Sequence, residues 1–179
     1  MSLKHSLLVL LADNPASGYD LSQQFKGSVG FFWNASHQQV YKELKTMASA
    51  GWLDCDTEIQ SDRPDKKVYT ITDAGRGALT RWLSQPAKPN KYKDAFLIKL
   101  YGGRHLPRTE LIKELDEHIA LHRKSLSKLQ GIEQEYQALT KDQQQLFELP
   151  YLTLKLGISS EQNWLAWAQD TREVLSGNA

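Results

Sequence analysis

What this chain of 179 residues has little of narrows its class before any motif is read. It carries one cysteine, Cys55, so no disulfide can close within it. A cysteine-based zinc site is likewise argued against, and the usage fits a reducing cytoplasm. Long apolar runs are missing too. The most apolar stretch, residues 7–12, is far too short to span a bilayer, and no small-residue cleavage site follows it. A soluble cytoplasmic protein with no membrane partner is therefore expected. An excess of charge of either sign is absent, with a formal net charge of +1, which excludes a basic tail that coats polyanions. Any charge that meets a nucleic acid must be local. Catalytic signatures are also missing: there is no G-x-S-x-G, no glycine loop for phosphate, and no motif that ties a His, an Asp and a Ser together. The expectation is a non-enzyme with no cofactor. Hydrophobic residues make up 40% of the chain, enough to pack one domain or two small ones.

The most informative stretch is residues 33–51, W-N-A-S-H-Q-Q-V-Y-K-E-L-K-T-M-A-S-A-G. Ser36 followed three residues later by Gln39 is a capping box, in which hydroxyl and amide satisfy orphan amides at a helix start. Val40, Leu44, Met47 and Ala48 then recur at helical spacing and form an apolar face, and Gly51 supplies a C-cap. At about 100° per residue, Gln38, Lys42, Lys45 and Ser49 fall opposite that face, with His37 at its leading end. Amides, a hydroxyl and lysines without an acid suit a nucleic-acid groove: Gln can bond an adenine edge twice, and Lys can neutralise phosphate. The plainer reading of such a face is a solvated surface.

The neighbouring segments supply a context. Leu3, Leu7, Leu10 and Leu11 have helical spacing, ended by Asn14-Pro15. Ser17-x-x-Asp20 resembles a second helix start, with Leu21 and Phe25 inward. Phe31, Phe32 and Trp33 form an aromatic plug in the connecting loop. After Gly51 the period changes to two: Leu53, Cys55, Thr57 and Ile59 alternate with acids, so Cys55 is expected to pack. Residues 61–65 are turn chemistry and 66–71 are a second β-rich run, which makes a hairpin tipped by Arg63, Lys66 and Lys67. Thr72 caps a fourth helix with Ala78, Leu79, Trp82 and Leu83 inward. Three helices, a basic-tipped hairpin and a closing helix make a winged helix-turn-helix order.

Residues 85–90, with Pro86 and Pro89, read as a linker. A short helix with Phe96, Leu97 and Leu100 follows, stopped at Gly102-Gly103. Beyond Pro107, the residues Ile112, Leu115, Ile119, His122, Leu126, Leu129 and Tyr136 form a seam of about three heptads. Thr140-x-x-Gln143 and Pro150 open two further helices, the last with Leu154, Trp164, Leu165, Ala168 and Leu175. So apolar a seam calls for a partner, most simply a second copy of the chain. Leu115, Ile119, His122, Leu126, Leu129, Trp164 and Trp167 are the dimerisation candidates. The expected fold is mainly α with a small β-hairpin: a winged helix-turn-helix domain over 1–85, then a helical dimerisation domain over 86–179 with a long coiled-coil-like helix.

Two clusters admit a second reading. Glu114, His118 and His122 lie in one helical row, which is the spacing of a metal site, yet one polar residue in a seam sets register; no metal is expected. Trp164 and Trp167 either line a pocket for a planar ligand or belong to the core.

G-Y-D at 18–20, F-W-N-A-S-H-Q-Q-V-Y-K-E-L at 32–44, R-P-D-K-K-V-Y at 63–69 and the following T-I-T-D-A-G-R resemble the PadR family of transcriptional regulators. The third helix is most similar to the AphA-like virulence-activator subgroup. The likeness is dense over residues 3–85 and rests on helix pattern and the W-L-A-W tail over 92–176. It implies a homodimer on pseudo-palindromic, double-stranded promoter DNA. By matching position, Tyr19, Ser36, His37, Gln38, Gln39, Tyr41 and Lys42 would lie at or near DNA, with Lys45 on the same outward face and Arg63, Lys66 and Lys67 on the wing. Some members of that family bind phenolic acids or planar drugs, so a small planar or phenolic effector is implied as a further partner. The competing function, favoured by the near-neutral charge, is a winged-helix protein-interaction module that does not bind DNA.

Overall fold

Proline and hydroxyl residues set where the first helices begin and end. The computed structural model describes residues 3–28, 30, 35–59, 66–87 and 93–177, in two compact units, Met1–Asn90 and Lys91–Ala179. In the first unit, α1 (Leu3–Leu11) stops ahead of Asn14-Pro15. The Ser17 hydroxyl accepts the Asp20 amide at the head of α2 (Gly18–Gly27). At α3 (His37–Ser49) the expected capping box is complete: Gln39 N donates to Ser36 Oγ at 3.2 Å and Ser36 N to Gln39 Oε1 at 2.8 Å. Thr72 accepts the Gly75 amide at the head of α4 (Asp73–Leu83). Each such cap contributes about 1 kcal/mol.

A small antiparallel sheet stands beside these helices. Its strands are β1 (Ala16–Ser17), β2 (Leu53–Glu58) and β3 (Lys66–Ile71), in the order β1-β3-β2. Only the hairpin of β2 and β3 was expected, because two residues are too few to display a period of two. The register sets Ala16 and Cys55 on either side of Tyr69. One core unites Leu7, Leu8 and Leu11 of α1, Leu21 and Phe25 of α2, and Val40, Leu44 and Met47 of α3 with Leu53, Tyr69, Ile71 and Leu79. Full burial of side chains this size stabilises by about 1.5–3 kcal/mol each.

Two of the inward assignments are corrected. Leu83, expected to face in, is 63% exposed at the end of α4. In β2 only Leu53 is buried, whereas Cys55 and Thr57 are exposed, as is Ile59 just past the strand. Alternation promises a covered face only where something lies over it. β2 is an edge strand, and it outruns the core that covers Leu53.

Gly51 ends α3 with φ +72°, a conformation that costs other residues about 1–2 kcal/mol. The chain then turns so that Thr72 Oγ1 donates to the Gly51 carbonyl at 2.7 Å and Thr72 N to the Trp52 carbonyl at 3.1 Å. α4 approaches so closely here that a Cβ on Gly75 would lie 2.2 Å from the Trp52 oxygen.

The second unit is helical: α5 (Ala95–Tyr101), a 3-10 turn at Gly103–His105, α6 (Arg108–Gln137), α7 (Lys141–Leu146) and α8 (Glu148–Ser176). Asp94 caps α5 through the Phe96 and Leu97 amides, and a second capping box, Thr140 with Gln143, opens α7. α8 runs unbroken for 29 residues through Pro150, which sits in its first turn, and through Gly157. α6 and α8 lie antiparallel, with Asp116 bonded to Arg172, His122 to Glu161, and Tyr136 stacked on Tyr151. Gly157 faces Leu129 there; a Cβ would sit 3.4 Å from Leu129 Cδ1.

This antiparallel pair corrects the expectation that a second copy of the chain fills the seam. Leu115 is 0% and Ile119 7% exposed in the single chain, packed with Phe96 and Ala168 and flanked by Leu100, Trp164, Leu165 and Trp167. Leu129 is also buried, and Leu111 takes the place expected of the half-buried Ile112. The heptad signal is real, but α8 of the same chain occupies it. A seam records that a helix needs a partner and is silent on which helix supplies it.

Candidate nucleic-acid interface

The capping box fixes where α3 begins, and the buried Val40, Leu44 and Met47 fix its rotation. Gln38, Gln39, Tyr41, Lys42, Lys45 and Ser49 are consequently exposed, with Ser36 exposed and His37 half-buried at the leading end. Ser36 Oγ and Gln39 Oε1 each accept one backbone amide in the cap, which leaves the Ser36 hydroxyl hydrogen and the Gln39 NH2 as donors for a ligand. Gln38 has its whole amide available among the described residues.

Tyr41, which the family resemblance puts at or near DNA, is only partly given to the surface. It is 46% exposed, yet its ring lies against α2: a Cβ on Gly18 would be 2.6 Å from Tyr41 Cε1. Glycine at 18 is what lets the two helices come together with the ring between them. Tyr19, next in the chain, is 60% exposed. Behind Tyr41, burial pushes the Tyr69 phenol up, helped by the neighbouring Cys55 thiol and by Tyr41.

The wing is less uniform than three basic residues suggested. Arg63 lies outside the described residues, as does the aromatic plug 31–33. Lys67 is exposed and stands opposite Thr57 in the hairpin. Lys66 is half-buried, stands opposite Glu58, and places Nζ 3.2 Å from Asp20 Oδ2. Ser17 Oγ donates to the same oxygen at 2.7 Å. The Ser17 hydroxyl, and after it the Lys66 ammonium, hold the Asp20 carboxyl below the usual carboxylate range. Sequence reasoning missed this pair. Only the Ser17-x-x-Asp20 spacing hinted at it, since Lys66 arrives from 46 positions further along, 66 − 20 in the chain numbering.

In the second unit the polar row does not converge. Glu114 pairs with Lys99 at 2.7 Å, the His118 ring packs on Phe96, and His122 bonds Glu161 at 2.5 Å while stacking on Trp164 at 3.6 Å. Ser125 Oγ donates to the other Glu161 oxygen at 2.8 Å. Among the described residues no group of three His, Cys, Asp or Glu side chains is placed to hold a metal ion. Trp164 and Trp167 meet edge to face at 5.7 Å as part of the cluster that joins α6 to α8. No described helix is long and apolar enough to cross a membrane.

A three-helix core with the third helix exposed along one polar face, closed by a two-stranded wing, is the winged helix-turn-helix, a class of DNA-binding fold. The pattern described as the PadR-like family of transcriptional regulators matches residues 7–81, and the pattern described as the virulence activator alpha C-terminal region matches 92–176. A probable transcriptional regulator of Mycobacterium tuberculosis is 34% identical over 98% of this chain and 98% of its own. The negative transcriptional regulator PadR of Bacillus subtilis is 35% identical over 93% of each. The chain thus belongs to the PadR family of transcriptional regulators, whose members are not enzymes. Bacillus PadR in complex with operator DNA superposes with a TM-score of 0.80 at 32% identity, covering 97% of this chain and 98% of that one. The same protein with p-coumaric acid gives 0.71 at 30%, covering 97% and 95%. The Vibrio cholerae virulence activator AphA gives 0.78 at 35%, covering 99% and 100%.

Proposed function

We propose that this regulator binds double-stranded promoter DNA as a homodimer, with residues 1–85 as the DNA-binding domain and 86–179 as the dimerisation domain. The observation that carries the reading is the exposed face of α3, which presents Gln38, Lys42 and Lys45 while Val40, Leu44 and Met47 are buried behind it. α3 enters the major groove, Gln38 reads a base edge, and Lys42, Lys45, Tyr41 and Lys67 meet the backbone. Arg63 joins them from the wing. Two copies of the chain then place two such helices on a pseudo-palindromic site. The operator complex of the Bacillus relative supports the DNA partner. A salt-titrated mobility shift on the promoter fragment upstream of the gene, against a scrambled duplex, tests it. Failure to shift either duplex at any salt concentration would favour the interaction-module reading instead, and equal affinity for both would remove the base-reading role of α3.

For the dimer, the face that supports a second copy is the uncovered side of α8. Leu149, Leu152 and Leu156 recur at i, i+3 and i+7 and are 73%, 56% and 69% exposed in the single chain. Sedimentation should find two chains per particle, and Leu152→Asp with Leu156→Asp should yield a folded single chain with weakened operator binding. A small phenolic effector is supported by the relative solved with p-coumaric acid. Titrating p-coumaric acid into the operator complex should release DNA; unchanged affinity at millimolar acid would remove that partner.

A further inference from the structure

Lys66 and Lys67 are adjacent in β3 but do not stand in equivalent fields. Lys67 is exposed and without a polar partner among the described residues, and its neighbour across the hairpin is the neutral Thr57. Lys66 faces Glu58 across the hairpin and bonds Asp20 from α2 at 3.2 Å. That carboxylate is not a loose surface acid. Ser17, itself 3% exposed and paired with Val68 in the sheet, donates to Asp20 Oδ2 at 2.7 Å and accepts the Asp20 amide at 3.1 Å. A lysine that meets an acid already fixed in position gives up only its own rotamer freedom, which favours the pair over an ordinary exposed one.

We infer that Asp20 is a positioning residue that withholds Lys66 from the DNA backbone and leaves Lys67 as the phosphate ligand of β3. This rests on the DNA-binding reading above. A free lysine that neutralises a phosphate releases condensed counterions and steepens the dependence of log affinity on log salt by about 0.9. A lysine that must first leave a carboxylate uncovers a negative charge beside the phosphates it approaches, so the exchange gains little. The arrangement keeps sequence-independent affinity low without removing the lysine from the chain. The third residue of the G-Y-D motif thereby acquires a role although it lies on α2 and not on the exposed face of α3.

The test is a salt titration on the promoter fragment and a scrambled duplex for the full-length wild type, Asp20→Asn, Lys66→Gln, Lys67→Gln and the Asp20→Asn/Lys66→Gln double variant. Asparagine keeps one oxygen to accept the Ser17 hydroxyl, while it removes the negative charge that holds the Lys66 ammonium and turns the other oxygen into an NH2 donor. Asp20→Asn should tighten both duplexes, roughly eightfold at 0.1 M salt, and steepen the slope by about one. Lys66→Gln should leave the slope as it is, the double variant should match Lys66→Gln, and Lys67→Gln should flatten the slope by about one. A wild-type slope in Asp20→Asn, or a steeper slope that persists without Lys66, overturns the inference. If Asp20→Asn misfolds, Lys66→Gln alone decides, since a flattened slope there means Lys66 already holds a phosphate. Should the wild type bind neither duplex, the DNA-binding reading has failed and this inference with it, whereas wild-type binding with an unmoved Asp20→Asn slope fails this inference alone.

Discussion

Leu115→Ala separates a seam within one chain from a seam between two. Leu115 is 0% exposed, enclosed by Phe96, Ile119 and Ala168. Truncation there removes the methyl-bearing end of a fully buried side chain and leaves a void that the α6–α8 pair closes only in part. Such changes cost about 2–5 kcal/mol, so about 3 kcal/mol is the expected loss. For a unit of this size each kcal/mol moves Tm by about 4–8 °C, which gives a fall of about 12–24 °C. Thermal unfolding followed through Trp164 and Trp167 reports the second unit once Trp33, Trp52 and Trp82 are replaced by Phe in parent and variant alike. As a control, an alanine at the exposed Leu121 should leave Tm within a few degrees. The melts should be run over a hundredfold range of protein concentration. A drop that is the same at every concentration means that the cavity lies within the chain. If Leu115→Ala instead dissociates the particle while the separated chain melts as before, the seam is intermolecular and the packing argued for it is wrong.

Three further outcomes are expected. Gly75→Ala should destabilise the first unit by about 1–3 kcal/mol or more, measured by denaturant unfolding, because its Cβ would meet the Trp52 carbonyl and Ile71 rather than a flexible side-chain end. His5 stacks on Trp82 at 4.7 Å; burial, then Lys4, lowers its pKa, so the folded state takes up its proton later than the unfolded chain does. Stability from this group is complete above its ordinary value of about 6.5 and is lost as pH falls through the lower folded value, so His5→Phe should flatten the stability–pH curve below about 6.5. Asp20, whose carboxyl is also lowered, loses its contribution only as pH falls below about 3.8. Gln38→Ala should cost about 1–3 kcal/mol on operator DNA and narrow the gap to scrambled duplex, whereas Lys67→Ala should weaken both nearly equally; an intact specificity ratio in Gln38→Ala would remove the recognition role given to that residue.

Local chemistry made much of this fold legible in the chain itself. Both capping boxes, the Thr72 cap, the stop before Pro15, the rotation of α3 and the first turn of α8 around Pro150 depend on residues within a few positions of one another. The same is true of the G-Y-D and third-helix motifs that pointed to the family. The tertiary structure decided everything that joins distant positions. It brought Lys66 to Asp20, Tyr41 to Gly18 and Gly75 to Trp52, and it gave the α6 seam to α8 of the same chain. It also left Cys55, Thr57 and Ile59 uncovered although they alternate as a buried face should. The physical reason is common to all of these. Periodicity and capping state what a segment needs, namely a covered face or a satisfied amide, and they are properties of one helix or strand. Which element answers that need, and which charge is neutralised on the way, depends on contacts between residues far apart in the chain, and no single segment encodes them.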